Sequence, residues 1–514
     1  MNNAQTNIFE MIYSTYKIKK PIRLIEFFAG YGSQALALKY LGVPFEHWKI
    51  CEWAVKSIQA YKDIHFTNDN TDYSQEQYAT DLDLLKNTLY QLGISSNYNE
   101  PMTEKQIDRL SEKQLRTIYN NIVATNNLVN IQQVKGEDLE IVDTDKYDYI
   151  LTYSFPCQDL SLAGKGKGMS DTSTRSGMLW EVERILTECH ELGSLPQILL
   201  MENVPQVHGA DNVEDFNKWQ LRLEELGYKN YWKDLIATDY GIPQTRNRTF
   251  MVSILGDYNY TFPKPIPLKL KLKDMLEDEV DEKYYLSDKM LEYITSKDDK
   301  YKVNENKLVI NRNIACSKTT REGNTRADTT DYVCDELPEN YNIKNGCKQV
   351  YDLNYYNHEQ SNRVYSPDYS SPTLRTKCDE AGTIKIINAT KQGYLEATDG
   401  DGIDLLQPNS ETRRGRVQKE AIQTIDTMGG NGKGVVVNDL KIRKLTPKEC
   451  FRLMGVKDED FKKCAKNQSD SSLYHLAGDS ICTSCLMALF SQLLDINWED
   501  KLWNIKNSIK MENT

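Results

Sequence analysis

The stretch Tyr153-Ser154-Phe155-Pro156-Cys157-Gln158-Asp159-Leu160-Ser161 holds the residue best suited to nucleophilic chemistry. Cysteine supplies a thiolate near neutral pH, a strong nucleophile that also leaves again. Pro156 fixes φ immediately before Cys157 and so sets the angle at which the thiol is presented. The preceding Tyr147-Asp148-Tyr149-Ile150-Leu151-Thr152 alternates and is β-rich, which predicts a strand. Cys157 therefore stands where a strand ends, and ligands of open α/β sheets bind at strand ends. A buried structural cysteine is the plain alternative for a single Cys in a loop.

Other polar groups stand in comparable places. Glu202 follows the apolar run Ile198-Leu199-Leu200-Met201, where a carboxylate is costly without a partner or a task. Gln244, Arg246 and Arg248 alternate in Tyr240–Arg248 and would share one face of an extended segment. Gly164-Lys165-Gly166-Lys167-Gly168 lacks phosphate-loop spacing and reads better as a mobile lid whose two cations meet a polyanion.

The elements that must position these groups begin with Ile22–Phe28, a strand running into the turn Ala29-Gly30-Tyr31-Gly32-Ser33 and a helix from Gln34 to Gly42. Strand, glycine turn and helix open a Rossmann-like unit in which glycines let the backbone approach a ligand. A second strand, Trp48–Trp53, carries Glu52 at its end, which suits hydrogen bonds to ribose hydroxyls. Residues 62–130 are polar, with helical stretches such as Glu104–Val123, and read as an insertion. Val134–Leu139 resumes the core with Asp138 where a strand would end. Helices are expected over Glu181–Leu192 and Val213–Leu226, and a strand over Tyr231–Ala237.

From residue 256 to 440 the texture becomes turn-rich, with short strands. This region contains a degenerate repeat, Asn362-Arg363-Val364 before Pro372–Thr376 and Arg416-Val417 before Gln423–Thr427. Two arginine-led hairpins could present side chains to an extended ligand, or be a duplicated scaffold. Arg416 ends the basic run Thr412–Arg416. Thr446, Pro447 and Glu449 form a capping-box pattern at the head of a helix. Tyr474–Ile481 precedes an apolar helix that runs to Leu494.

The 514 residues allow about three domains, or two with large insertions. A net charge of -12 argues against wholesale coating of nucleic acid but permits a local basic cleft. Neither a signal peptide nor a membrane-spanning run is expected from the sequence, and its eleven cysteines lack a regular framework, which suits a reducing cytoplasm. Cys482-Thr483-Ser484-Cys485 has no second pair at zinc spacing, so no metal is expected there.

In this order, Phe28-Ala29-Gly30-Tyr31-Gly32, Pro156-Cys157-Gln158, Glu202-Asn203-Val204, Gln244–Arg248 and Arg443–Pro447 resemble motifs of the DNA cytosine-5 methyltransferase family, bacterial or phage type. The resemblance covers residues 22–250 and 441–494. It implies an α/β fold: a Rossmann-like S-adenosylmethionine-dependent methyltransferase core with a second, smaller, mostly β or irregular target-recognition domain. The catalytic domain would comprise 1–255 and 441–514, with 62–130 inserted, and the target-recognition domain 256–440.

The same resemblance implies catalytic roles for Cys157, Glu202, Arg246 and Arg248. S-adenosyl-L-methionine would be held by Phe28, Gly30, Tyr31, Gly32, Ser33, Glu52, Trp53, Asp138, Leu139, Pro156, Leu179, Asp479 and Ile481. Gln158, Ser161 and Gln244 would meet DNA, with Arg363 and Arg416 at or near it. Three positions depart from the family pattern: Ser33 replaces a glycine, Asp479 an asparagine, and Leu160 an aromatic. Double-stranded DNA is the expected partner. A cognate restriction enzyme need form no stable complex with the chain, which would act as a monomer away from membranes.

Two rivals share parts of the pattern. A tRNA cytosine methyltransferase would have the same fold, but the large repeat-bearing domain favours duplex reading in a groove. A NAD-linked dehydrogenase would explain the glycine turn and Glu52, but gives no role to Cys157, Glu202 and Arg248.

Overall fold

The structure is a computed structural model. It describes residues 15–155, 177–285, 384–390, 393–405, 416–424, 433–437 and 441–502, and the backbone of short strands between 314 and 365. The chain divides into two compact units. The first comprises Met1–Asp278, Thr424–Gly429 and Pro447–Thr514, and the second Glu279–Gln423 and Gly430–Thr446.

The first unit is built on a six-stranded sheet. Strand β1 (Ile22–Phe27) leads through the glycine turn into helix α1 (Ser33–Leu41), and β2 (Phe45–Cys51) into α2 (Val55–His65). Gly42 closes α1 at φ 75°, in the left-handed region that a glycine occupies without Cβ strain. Four helices follow: α3 (Ser74–Tyr78), α4 (Leu82–Leu92), α5 (Glu104–Asp108) and α6 (Glu112–Ala124). The expected single helix from Glu104 is thus two, because Ser111 caps α6 with Gln114 completing a capping box.

The sheet continues with β3 (Asp148–Tyr153), α7 (Met178–Glu191), β4 (Ile198–Asn203), α8 (Val213–Glu225), β5 (Tyr228–Ile236) and β6 (Asn247–Leu255). Its order is β2-β1-β3-β4-β6-β5. The first four strands run parallel and β6 is antiparallel to both β4 and β5. Every residue of β3 and β4 is buried, as expected for parallel strands covered on both faces. Val134–Leu139 does not add a strand. Gly136–Leu139 is a 3-10 turn, with Leu139 packed in the core beside Leu179, Leu186 and Phe155.

The insertion has its own apolar core, including Leu85, Leu89, Ile107, Leu115, Ile118 and Ile122, onto which Trp53 and Val55 pack. C-terminal helices α9 (Pro447–Leu453), α10 (Asp458–Ala465), α11 (Asp470–Asp479) and α12 (Thr483–Leu494) complete the unit. Glu449 accepts the backbone N–H of Glu277 at 2.8 Å. The span Asp470–Leu494 is long and apolar enough to cross a membrane, but 89% of its apolar window is buried inside the protein, as in a core helix.

The boundary after residue 255 differs from the sequence expectation. Residues 256–278 belong to the first unit: Tyr240 Oη donates to Pro263 O and Arg452 Nη1 to Met275 O and Leu276 O. Lys441–Lys444 belongs to the second unit, where it pairs antiparallel with Lys433–Val437.

Beyond the 3-10 turn Glu282–Tyr284, the regular elements described in the second unit are β-strands. Strands β7 (Ile314–Lys318), β8 (Thr330–Cys334), β9 (Asn342–Lys344), β10 (Cys347–Asp352) and β11 (Arg363–Tyr365) form a sheet of order β7-β8-β11-β10-β9. Strands β12 (Ile384–Ile387) and β13 (Tyr394–Ala397) form a hairpin. Strands β14 (Gly402–Asp404), β15 (Val417–Gln418), β16 (Lys433–Val437) and β17 (Lys441–Lys444) form a sheet of order β15-β14-β16-β17. The two arginine-led repeat arms therefore lie in different sheets. β11 runs parallel to β8 and β15 antiparallel to β14, so the arms are not equivalent hairpins.

Candidate active site

The turn after β1 is shaped by three positive φ values: Phe28 at 57°, Gly30 at 57° and Gly32 at 82°. A Cβ on Gly32 would come within 2.5 Å of His65 Nε2 and 2.6 Å of the Tyr61 ring, whereas one on Gly30 would meet nothing within 4 Å. Gly32 is thus required by packing, and Gly30 faces open space. Phe28 N–H bonds Cys51 O at 2.8 Å, which ties the turn to the end of β2.

Glu52, just beyond β2, accepts the N–H groups of Gly30 at 3.0 Å and Ala54 at 2.8 Å. Burial raises its carboxyl from 4.5 to about 7 against the lowering effect of these bonds. The insertion holds this segment. Asn127 Oδ1 accepts Glu52 N–H and its Nδ2 donates to Glu52 O, while Ser95 pairs through its backbone with Trp53 and Val55. Asn127 was not singled out from the sequence, where nothing distinguishes it from the adjacent Asn126.

Across from the turn stands the end of α11. Phe28, Gly30, Tyr31 and Ser33 line one cavity together with Asp479, Ser480 and Ile481. Tyr31 Oη donates to Ser480 Oγ at 2.9 Å, and Ile481 N–H reaches Ser33 Oγ at 3.4 Å. Serine at this position therefore accepts from Ile481, two residues before α12. Arg246 Nη2 donates to Gly478 O at 3.2 Å and Ser480 O at 2.7 Å, which fixes the same corner. Asp479 is half-exposed and its Oδ2 lies 3.1 Å from His475 Nε2.

A second cluster lies at the end of β4. Glu202 Oε1 is 3.1 Å from Arg248 Nε, and the carboxyl is almost wholly buried. Desolvation raises its affinity for a proton, and Arg248 and then Arg246 oppose the shift. Asn203 Nδ2 donates to Phe155 O at 3.0 Å, which anchors the backbone immediately before Pro156 to the strand that carries Glu202.

A family model described as C-5 cytosine-specific DNA methylase matches residues 90–495. The chain belongs to that family. Type II methyltransferase M2.ScrFI of Lactococcus lactis subsp. cremoris is 37% identical over 267 residues, covering 52% of this chain and 70% of that one. Orphan methyltransferase M.SssI of Spiroplasma monobiae is 37% identical over 311 residues, covering 59% and 76%. Orphan methyltransferase M.Rho11sI of Bacillus phage rho11s is 26% identical over 452 residues, covering 71% and 88%. The protein is thus a cytosine-5 DNA methyltransferase enzyme, and its α/β sheet is the fold expected of an S-adenosylmethionine-dependent core.

The methyltransferase's expected site residues fall into four groups. Phe28, Gly30, Tyr31, Gly32, Ser33, Glu52, Asp479 and Ile481 gather around the glycine turn. Trp53 turns toward the insertion core, Leu139 and Leu179 are fully buried in the main core, and Asp138 accepts the N–H of Lys135 at 2.8 Å. Pro156, Cys157, Gln158, Ser161 and the Gly164–Gly168 segment lie outside the described residues, as does the side chain of Arg363.

The last group needs correction. Gln244, Arg246 and Arg248 do not share a face, because β6 begins only at Asn247 and strand alternation does not extend back through 244. Gln244 is fully buried and donates to Leu453 O at 2.6 Å, so it offers no surface to DNA. Arg246 braces the α11 corner, and Arg248 reaches Glu202 at 3.1 Å. Arg416 is also fully buried. Its Nε and Nη2 donate to Asp404 O at 3.2 and 2.9 Å, so it braces the β14–β15 pair and does not present to DNA the surface expected of it.

Proposed function

We propose that this enzyme transfers a methyl group from S-adenosylmethionine to C5 of cytosine within a specific duplex DNA sequence, by attack of Cys157 on C6 of a flipped-out base. The observation that carries the reading is the buried Glu202–Arg248 pair at 3.1 Å, on a strand end whose Asn203 grips the residue two before Cys157.

The residues fit the donor. Gly30 offers an open backbone approach, Glu52 is a buried carboxyl able to accept from ribose hydroxyls, and Asp479 can accept from an ammonium. The donor supplies a sulfonium methyl when bound.

C5 of cytosine is a poor nucleophile until a thiolate adds at C6 and turns the ring into an enamine. Cys157 forms that S–C6 bond, and C5 then attacks the sulfonium methyl, forming the C5–CH3 bond as the S–CH3 bond breaks and a neutral thioether leaves. Loss of the C5 proton to a base expels the thiolate and restores the aromatic ring. Glu202, biased by burial toward its protonated form, donates to N3 and offsets the charge that develops there on attack. Arg248, beside it, polarises the ring through O2. The base is reached only outside the duplex stack, so flipping precedes chemistry.

Bisulfite sequencing of plasmid DNA from cells expressing the enzyme tests the reading. One recurring sequence should contain protected cytosines. Parallel assays with labelled donor should methylate duplex DNA and leave tRNA unlabelled. Uniform conversion of the plasmid, or label in tRNA alone, would sink it.

A further inference from the structure

The helical insertion at 62–130 lies outside the motifs that resemble the family, yet one of its side chains lies against residues that line the proposed donor site. Tyr98 adopts φ 64°, a left-handed conformation that costs a tyrosine energy. The turn that holds it is built from side chains: Asn97 Oδ1 accepts the N–H groups of Asn99 and Glu100, and Ser95 Oγ donates to Glu100 O at 2.7 Å. Ser95 is itself paired with the backbone of Trp53 and Val55, so the turn is fastened to the segment that carries Glu52.

From there the Tyr98 ring packs on His475, with centroids 3.9 Å apart and planes tilted 50°. His475 is in turn paired with Asp479, which lines the cavity beside the glycine turn. The Tyr98 hydroxyl is buried and meets no described residue at full hydrogen-bond geometry, its contact with the Ser57 side chain being a weak one. Its polar neighbours are Ser57, which lines the same cavity, and the carboxyls of Glu52 and Asp479. A buried O–H without a full partner is costly, and a site that leaves one poised near a ligand cavity discriminates for a ligand that satisfies it.

We propose that Tyr98 is a donor-binding residue of this enzyme, contributed by the insertion: its hydroxyl hydrogen-bonds to bound S-adenosylmethionine and its ring caps the pocket against His475. This rests on the donor site proposed above. It gives the insertion a task in cofactor binding and makes Tyr98 a determinant of donor affinity that the motif pattern does not contain.

The test uses the full chain, with S-adenosylhomocysteine as the probe in titration calorimetry. Tyr98→Phe removes only the hydroxyl. It should weaken the probe roughly three- to tenfold, as expected for one neutral hydrogen bond, and raise KM for the donor by the same factor. At saturating donor kcat should not change, nor should affinity for duplex DNA. Tyr98→Ala, which also removes the cap, should weaken the probe further.

Without ligand, Tyr98→Phe should melt close to the wild-type temperature, because only the weak contact with Ser57 is lost. Wild-type probe affinity in both variants would overturn the inference. So would a markedly lower ligand-free melting temperature in Tyr98→Phe, which would place the hydroxyl in a strong internal bond. Glu52→Gln separates the two readings. If it weakens the probe while Tyr98→Phe does not, the donor site stands and Tyr98 is no part of it. If Glu52→Gln binds as wild type, the donor site itself is misplaced.

Discussion

Arg248 Nε lies 3.1 Å from Glu202 Oε1, whereas Arg246, two residues earlier, sends its guanidinium to Gly478 O and Ser480 O. The two arginines of one short motif therefore serve different ends of the site. One faces the proposed base pocket and the other holds the corner that meets the glycine turn.

Glu202→Gln should slow turnover by roughly 10²–10⁴-fold, the span for a lost general acid. Donor affinity should stay within twofold of wild type. Single-turnover rates and donor titration on the same preparation check this. A collapse of donor affinity with normal chemistry would move Glu202 to the cofactor site.

Arg246→Lys should show the opposite split. A lysine cannot reach both carbonyls with one planar fork, so a charged hydrogen bond of about 1.5–3 kcal/mol is lost at the α11 corner. KM for the donor should rise about tenfold or more, with kcat at saturating donor little changed. A fall in kcat equal to that of Arg248→Lys, with KM unchanged, would return Arg246 to the base pocket.

Cys157→Ser should abolish methyl transfer and leave the thermal melt unchanged, because a hydroxyl at its ordinary pKa is a far weaker nucleophile. With the wild-type enzyme, a duplex carrying 5-fluorocytosine at the target should yield a covalent complex on a denaturing gel, since C5 then has no proton to lose and fluorine cannot leave as a cation. Turnover near wild type in the serine variant removes Cys157 from the mechanism.

Glu26 gives stability a pH dependence. Its carboxyl is fully buried beneath the glycine turn, accepting Tyr61 Oη at 2.5 Å and Ala35 N–H at 3.3 Å, and burial raises it from 4.5 to about 7. The folded state therefore holds this proton more tightly than the unfolded state. The contribution is complete below about pH 4.5 and is lost as pH rises through about 7, on the order of 3 kcal/mol in all. Glu52 acts in the same direction. His47 and His65, lowered by burial to about 4 and about 3, act in the opposite one, losing stability as pH falls below 6.5. Glu26→Gln should flatten the decline in melting temperature between pH 5 and 8. An unchanged slope would mean that Glu26 is ionised in the folded protein throughout.

Much of this protein is written locally. The glycine turn is legible because only glycine occupies φ 82° where a Cβ would strike His65 and Tyr61. Buried strands β3 and β4 are legible as apolar runs, and a carboxylate at the end of such a run announces Glu202. These signals depend on neighbours within a few residues, so the order of residues alone determines them, and the family resemblance rests on the same stretches. The partners of the polar side chains depend on which distant segments the fold brings together. Arg246 meets Ser480 across 234 positions, and Gln244 meets Leu453 across 209. Arg416 looks like part of a basic surface in the sequence, but the β14–β15 pairing turns it inward onto Asp404 O. Tyr98 lies in a polar insertion with no motif. Only the tertiary structure sets its ring on His475 and its hydroxyl near Ser57 and Asp479, which line the proposed donor cavity.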